Sequence, residues 1–324
     1  MSVPKYFVLE NDDRMPRIGF GTWQCPEDEL ERAVAEALDV GYRHFDSAQV
    51  YDNEAALGRA LNRWIAGDVQ KRKEIFVVTK LPPSGNRPDL IDEYFEKSFK
   101  SLGLEYIDLY LMHTPFTFEH VPGDLHPKNP DGTMKVDLTT DIVSTWKAMQ
   151  KLKEIGKVQH LGVSNVNEEQ LKRLCTVAKP ACLQVEVHVL CQQRGLINAC
   201  NHLGIPVVAY SPLGSKALAD MLAAKTGRQY PSLLELPVVR NIAKKHNRTP
   251  AQILLRFLLQ HGVAAIPKST NPIRIKQNIS VWDFELDKTE MQALNGLDRG
   301  EDGRICDFSF FPGVERHSEF PFIK

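Results

Sequence analysis

Eight short runs rich in β-branched and aromatic residues alternate with amphipathic runs along the chain, and this alternation limits the fold more than any other feature. The runs are RIGFGTW, YRHFDSA, EIFVVTK, IDLYLMH, VQHLGVSN, CLQVEVH, IPVVAYSP and VAAIPKS. Most are nearly continuous apolar stretches rather than strict alternations, as expected of strands covered on both faces. Helix patterns fall between them. PEDELERAVAEALDVG opens with Pro and acids and ends on Gly, the usual asymmetry of helix termini. RPDLIDEYFEKSFKSLGL and DIVSTWKAMQKLKEIGK repeat the pattern, NEEQLKRLCTVA follows GVSN, and QRGLINACNHLG follows VEVH. Eight β–α alternations predict an α/β chain closed into a (β/α)8 barrel of the TIM type, with a short N-terminal hairpin and long loops over the C-terminal face. An open doubly wound sheet is the rival. It usually announces a dinucleotide site with G-x-G-x-x-G after its first strand, whereas GFGTWQ stops at Gln24.

No shift of composition marks a boundary in the 324 residues, so one domain is expected over 1–324; barrels of this length are commonly single domains. A net charge of -1 argues against a broad nucleic-acid-binding face or a basic membrane anchor. No run reaches the roughly 18 apolar residues of a membrane span. The start, MSVPKYFVLENDD, lacks a basic segment followed by an apolar one, and Cys25, Cys175, Cys182, Cys191, Cys200 and Cys306 form no C-x-x-C pair. A reduced, cytoplasmic protein with free thiols is expected. The ten histidines show no H-E-x-x-H pattern, and no metal site is expected. TPFTFEHVPGDLHPKNPDGTMKVDLTTD reads as a long loop after the fourth run, a second irregular region follows SPLGS, and an aromatic tail runs from Asp298 to Lys324. Such a tail must pack somewhere, and the barrel mouth is one candidate.

In a (β/α)8 barrel, chemistry sits at the C-terminal strand ends. Asp46 falls near the end of the second run with Tyr51 just beyond, Lys80 ends the third, and His113 ends the fourth. Taken singly, each has an ordinary structural reading: a helix cap, a strand-end charge, a satisfied histidine. Together they suit carbonyl reduction, which needs a hydride and a proton donor for the developing alkoxide. Tyrosine is a weak acid. A neighbouring Lys⁺ is expected to lower its pKa, with Asp46 holding the ammonium and His113 orienting the substrate oxygen. A barrel hydrolase using Asp46 and Glu186 is a rival that leaves the IPKST region without a role. In that region, Lys268, Ser269 and Thr270 precede an Asn-Pro that can open a helix, and Lys268 and Arg274 add positive charge suited to a 2′-phosphate. An ordinary basic, capped helix is the plain alternative.

GFGTW, RHFDSAQVYDNE, VVTKL, LYLMHTP, LGVSN, QVEVH, YSPLG and IPKST occur in one order across nearly the whole chain, which in this respect resembles the aldo-keto reductase family, aldose and aldehyde reductases in particular. The resemblance implies a (β/α)8 barrel that acts as a monomer on small-molecule carbonyl substrates with NADPH/NADP+. It maps a catalytic tetrad onto Asp46, Tyr51, Lys80 and His113, with Tyr51 as proton donor. It places Ser164, Asn165 and Gln184 at the carboxamide, Tyr210 on the nicotinamide, and Ser211, Leu213 and Ser215 along the pyrophosphate. Arg274, Gln277 and Asn278 lie by the adenosine, with Gly21, Thr22, Trp23, Asp46, Ile266, Lys268, Ser269 and Thr270 completing the cofactor site. Many relatives close a loop over the pyrophosphate with an Asp–Lys clasp. Here Lys216 follows SPLGS and no acid appears before Asp220, so that clasp is absent or differently built. Trp23, Val50, Tyr51 and His113 are expected at the substrate. Pro82 and Thr114 stand where aldose-reductase-like relatives carry tryptophans. Phe116, Phe118, Cys306, Phe308, Phe310 and Phe311 lie on loops able to cover the mouth. The expected pocket is broad and apolar, suited to bulky aldehydes or ketones, and insect relatives that reduce ecdysteroid ketones make steroids one option. A non-catalytic, NADP(H)-binding regulatory or structural relative is the alternative role.

Overall fold

The computed structural model describes residues 3–322, so the first two and last two positions of the expected 1–324 domain lie outside the described residues. β1 (Tyr6–Val8) and β2 (Arg14–Pro16) form the expected antiparallel hairpin, Tyr6 opposite Pro16. Eight strands follow in parallel: β3 (Phe20–Gly21), β4 (His44–Asp46), β5 (Phe76–Leu81), β6 (Ile107–Met112), β7 (Val158–Ser164), β8 (Leu183–Glu186), β9 (Val207–Tyr210) and β10 (Ala264–Ala265). Each pairs with the next in sequence. The two outer strands meet through a parallel bridge between Ile18 and Ala265, where Ala265 N donates to Arg17 O at 2.8 Å and Gly19 N donates to Ala265 O at 2.9 Å. The sheet is thereby closed into a barrel.

The first and last of the eight runs yield only two-residue strands. The seam is tight there: a Cβ on Gly21 would lie 2.7 Å from Ile266 O, and one on Gly19 would lie 2.8 Å from the His44 ring. Only glycine allows that approach.

The apolar residues sort into three layers. Phe76, Val78, Leu109, Leu111, Cys182, Val208, Ala264 and Ile266 fill the barrel interior above Leu9 and Met15. The intervening strand positions, among them Phe45, Val77, Tyr110, Met112, Val163, Val185 and Ala209, pack outward against the helices. This explains why the strands read as unbroken apolar runs: both faces are buried. The third cluster joins the loop after β6 to the tail, with Phe116, Phe118, Met134, Leu218, Leu222, Ile305, Cys306 and Phe308. The tail therefore packs over the mouth, as one of the expectations had it. The second irregular region turns out to contain a helix, Lys216–Thr226, whose Leu218 and Leu222 are buried one turn apart in that cluster.

Candidate active site

Strand register sets the site. Asp46 is opposite both Gly21 and Val78, and Lys80 lies two residues beyond Val78, so both side chains face inward at the last layer of their strands. His113 follows β6 on the same inward spacing as Leu109 and Leu111. Below this layer the interior is hydrocarbon; at it, the interior becomes polar.

Lys80 and Asp46 are buried and bonded. Lys80 Nζ donates to Asp46 Oδ1 and to Ser47 O, both at 2.6 Å, while Gln184 Nε2 donates to Asp46 Oδ2 at 2.7 Å. Each carboxylate oxygen thus has a donor, as a buried charge requires. Burial lowers the Lys80 pKa, and Asp46 opposes that loss of charge. Thr22 Oγ1 donates to Asp46 O at 3.0 Å and to Ser47 Oγ at 3.1 Å, holding the strand end in place.

Tyr51 ends a 3-10 turn, Gln49–Tyr51, and is partly exposed at the rim. Lys80 Nζ lies 5.1 Å from its ring centroid, and the His113 ring meets it edge to face with centroids 5.9 Å apart. The tetrad predicted from sequence is therefore brought together. The expectation that Lys80 lowers the Tyr51 pKa is not met. Burial first, then the charge of Asp46, raises the phenol well above its usual value. The hydrogen bonds of the ammonium go to Asp46 and Ser47 O, and its charge, 5.1 Å from the ring, does not overcome the burial of the phenol.

His113 is held well below the usual imidazole range, first by burial and then by the charge of Lys80. It is neutral at physiological pH, and its Nδ1 has no partner among the described residues. Asn165 Nδ2 donates to His113 O at 2.9 Å and to Ser164 Oγ at 3.1 Å, and Ser164 Oγ donates to Gln184 O at 2.8 Å. Tyr210 O–H donates to Asn165 Oδ1 at 2.7 Å. Asn165 takes a left-handed backbone, φ 61°, a strained conformation that tends to occur at functional positions. Ser164, Asn165, Gln184 and Tyr210 thus form one connected wall beside the tetrad.

The remaining cofactor candidates lie on a neighbouring arc. Leu213 and Ser215 follow β9 and Ser211, whose φ is 49°. Ile266 leaves β10 beside Gly21, and a Cβ on Gly21 would also contact the Lys268 side chain at 3.7 Å. Ser269 and Asn278 are buried, Thr270 O accepts from Arg32 Nη2 at 3.1 Å, and Gln277 is half-buried. Asn271 caps the helix Pro272–Ile279 by accepting from Arg274 N at 3.1 Å. Among the described residues, Lys268 and Arg274 make no ion pair, and both are exposed beside this helix N-terminus. Lys216 pairs with Asp220 within its own helix at 2.6 Å.

Trp23 is half-buried against the mouth cluster, Val50 is half-buried next to Tyr51 in the chain, and Pro82 and Thr114 are buried just beyond β5 and β6. Phe116 is fully buried and Phe308 nearly so, their rings edge to face at 4.9 Å. Cys306 is buried beside Tyr210, and its thiol pKa is pushed up to about 12 by burial. It is not a thiolate at neutral pH.

Sequence reasoning missed Asn86 and read Glu186 only as a rival catalytic acid, not as one of the residues that hold this mouth in place. Asn86 Nδ2 donates to Thr114 O and Phe116 O, at 3.0 and 2.9 Å. Glu186 accepts from His188 and from two tail amides, and so is not the free acid that a hydrolase needs. No fixed spacing marks either residue.

The aldo/keto reductase family profile matches residues 17–299. The chain is 44% identical over 298 residues to aldo-keto reductase family 1 member A1 of Gallus gallus, covering 91% of this chain and 89% of that one. It is 44% identical over 295 residues to the protein of the same name from Homo sapiens, covering 90% and 89%. The aldose reductase structure from Schistosoma japonicum superposes with a TM-score of 0.88 at 36% identity, over 99% of each chain.

Proposed function

The chain belongs to the aldo/keto reductase family of carbonyl-reducing oxidoreductases, and from that premise we propose that it reduces aldehydes and ketones to alcohols with NADPH, Tyr51 donating the proton. The observation that carries this reading is the buried Lys80–Asp46–Gln184 chain lying against Tyr51 and His113 at one barrel rim.

The residues fit the cofactor. Lys268 and Arg274, unpaired beside a capped helix N-terminus, suit the 2′-phosphate that distinguishes NADPH from NADH. Gln184 spends its amide N–H on Asp46 and keeps its carbonyl oxygen for a carboxamide. Ser164, Asn165 and Tyr210 complete the nicotinamide wall, Ser211, Leu213 and Ser215 run along the pyrophosphate, and Ser269, Thr270, Gln277 and Asn278 surround the adenosine. When bound, NADPH supplies the hydride.

The chain's own residues handle the oxygen. A phenol kept protonated by its surroundings is a stored proton, given up when negative charge develops on the substrate oxygen nearby. Lys80 then stabilises the phenolate left behind. Neutral His113 donates from a ring nitrogen to the same oxygen and orients the carbonyl. Trp23, Val50, Pro82, Thr114, Phe116, Cys306 and Phe308 make the surrounding walls apolar, which favours carbonyl compounds with bulky apolar substituents over open-chain sugars.

Tyr51→Phe tests the assignment. Turnover of a general aldehyde should fall roughly 10²–10⁴-fold, while NADPH affinity, measured by fluorescence titration, stays near wild type. Near-normal turnover would reject Tyr51 as the acid. The same titration repeated with NADH should show much weaker binding; equal affinities would remove the role given to Lys268 and Arg274.

A further inference from the structure

Glu186 is a wholly buried carboxylate at the rim that the proposed chemistry does not use. It ends β8 opposite Tyr210 of β9. Its Oε1 accepts from His188 Nε2 at 2.8 Å and from Ile305 N at 2.8 Å, and its Oε2 accepts from Cys306 N at 2.7 Å. Burial alone would raise its pKa, but the hydrogen bond and charge of His188, together with the Ile305 amide, outweigh burial and hold it below the usual carboxylate range. It is an ionised acceptor for a segment that arrives from 119 residues away in sequence.

Other contacts fix the same crossing. Arg299 N donates to Leu190 O at 2.9 Å, and Gln192 N donates to Asp298 Oδ1 at 3.1 Å. Gly303 passes so close that an added Cβ would lie 1.8 Å from Leu190 O, a distance no side chain can tolerate. Immediately past the clamp, Cys306 packs in the mouth cluster beside Tyr210. Phe308 then takes a left-handed backbone, φ 60°, stacks on Phe322 at 5.6 Å and meets Phe116 edge to face. An aromatic residue in that conformation is strained and persists only where its surroundings impose it.

We propose that Glu186 is a positioning residue that clamps the tail at Ile305 and Cys306, fixes the Cys306–Phe308 wall at the substrate mouth, and thereby sets the selectivity between small and bulky carbonyl substrates. The selectivity role rests on the reductase reading; the clamp does not.

Two variants of the full chain test it, Glu186→Gln and Gly303→Ala. The glutamine presents an N–H where an acceptor is needed, while the alanine pushes the tail off Leu190 and leaves the carboxylate intact. In both, hydrogen exchange at the amides of 305 and 306 should quicken roughly tenfold or more. The KM for a bulky aromatic aldehyde should shift roughly fivefold or more, with kcat for a small aliphatic aldehyde and NADPH affinity within about twofold of wild type. A variant whose kcat falls equally for both aldehydes, with no KM split, overturns the selectivity role. Unchanged exchange at 305 and 306 overturns the clamp whatever the activity. If Glu186→Gln does not fold, Gly303→Ala carries both readouts. A wild-type protein that reduces no carbonyl compound would refute the reductase reading and the selectivity role together, with the exchange rates still deciding the clamp.

Discussion

His44 and Asp46 sit two residues apart on β4, both turned toward the inside of the same barrel, yet they end in different chemistry. At the N-terminal end, His44 Nδ1 donates to Pro16 O at 2.8 Å, and His160 Nε2 meets Asp13 Oδ2 at 2.7 Å. The β1–β2 hairpin closes that end and bonds one nitrogen of each ring. At the C-terminal end, Asp46 and Lys80 also satisfy each other, but Tyr51 and His113 are left partly exposed beside them, His113 Nδ1 without a partner. Both ends need polar residues because the hydrocarbon interior stops there. Among the described residues, both ends leave polar nitrogens without partners, Arg17 Nε, His44 Nε2 and His160 Nδ1 at one and His113 Nδ1 at the other, but only at the end facing the β-to-α loops does one lie on a partly exposed ring beside a buried ion pair, where a substrate oxygen can use it.

The largest effect expected of this difference comes from Lys80→Met. It removes one partner of a buried pair and leaves Asp46 with Gln184 alone. Breaking such a pair costs about 3–5 kcal/mol. Urea titration should show that loss, and turnover should fall at least as far as in Tyr51→Phe. A variant as stable as wild type would mean that Asp46 simply takes up a proton, and that the two ends are less different than their hydrogen bonds indicate.

A smaller effect is expected at the mouth. Phe308→Ala empties a space among Phe116, Phe310, Phe311 and Phe322. Deleting a buried phenyl ring costs about 3 kcal/mol or more where the surroundings cannot collapse, but here the tail can loosen separately from the barrel. The loss should therefore appear as faster proteolysis and amide exchange after Arg304, with the main unfolding transition nearly unmoved. A fall in the main transition equal to that of Lys80→Met would show that the tail is part of the barrel's cooperative unit.

How legible each region was follows from how locally it is written. The strand-end tetrad lies in contiguous motifs, FDSAQVY, VVTK and LYLMH, and strand order alone converts those into one rim. The barrel and the hairpin were readable for the same reason. The mouth was not. Glu186 acts on amides 119 and 120 residues away, and Asn86 on carbonyls 28 and 30 residues away; no spacing rule reaches that far. The helix Lys216–Thr226 was hidden because only Leu218 and Leu222 mark its buried side in an alanine- and lysine-rich stretch. The direction of the Tyr51 shift was misjudged because sequence places Lys80 nearby without showing how far the phenol is buried, or that Asp46, whose charge raises it further, lies as close.

The smallest effect tests the closed end through pH. His44 is fully buried, and its pKa is lowered first by that burial; the bond to Pro16 O and the charge of Asp46 oppose the shift, and Lys80 reinforces it. Its Nε2 has no partner among the described residues, so a proton there would be a buried charge without an acceptor. The unfolded chain, with an ordinary imidazole near pH 6.5, takes up that proton before the folded chain does. Wherever the unfolded state binds more protons, stability rises with pH. The contribution of His44 is therefore complete above about pH 6.5 and is lost as pH falls below it. His113, His126, His261 and His317 are lowered as well and act in the same direction, while Asp108, raised to about 6, and Glu54, also raised, act in the opposite one. His44→Gln keeps a donor for Pro16 O and removes one titrating site. Urea titrations at pH 7.5 and 5.5 should show the acid-side loss reduced by at most about 1.4 kcal/mol per pH unit, the ceiling for one proton. An unchanged slope would mean that the hairpin opens before His44 titrates, and that this end is a looser closure than its hydrogen bonds indicate.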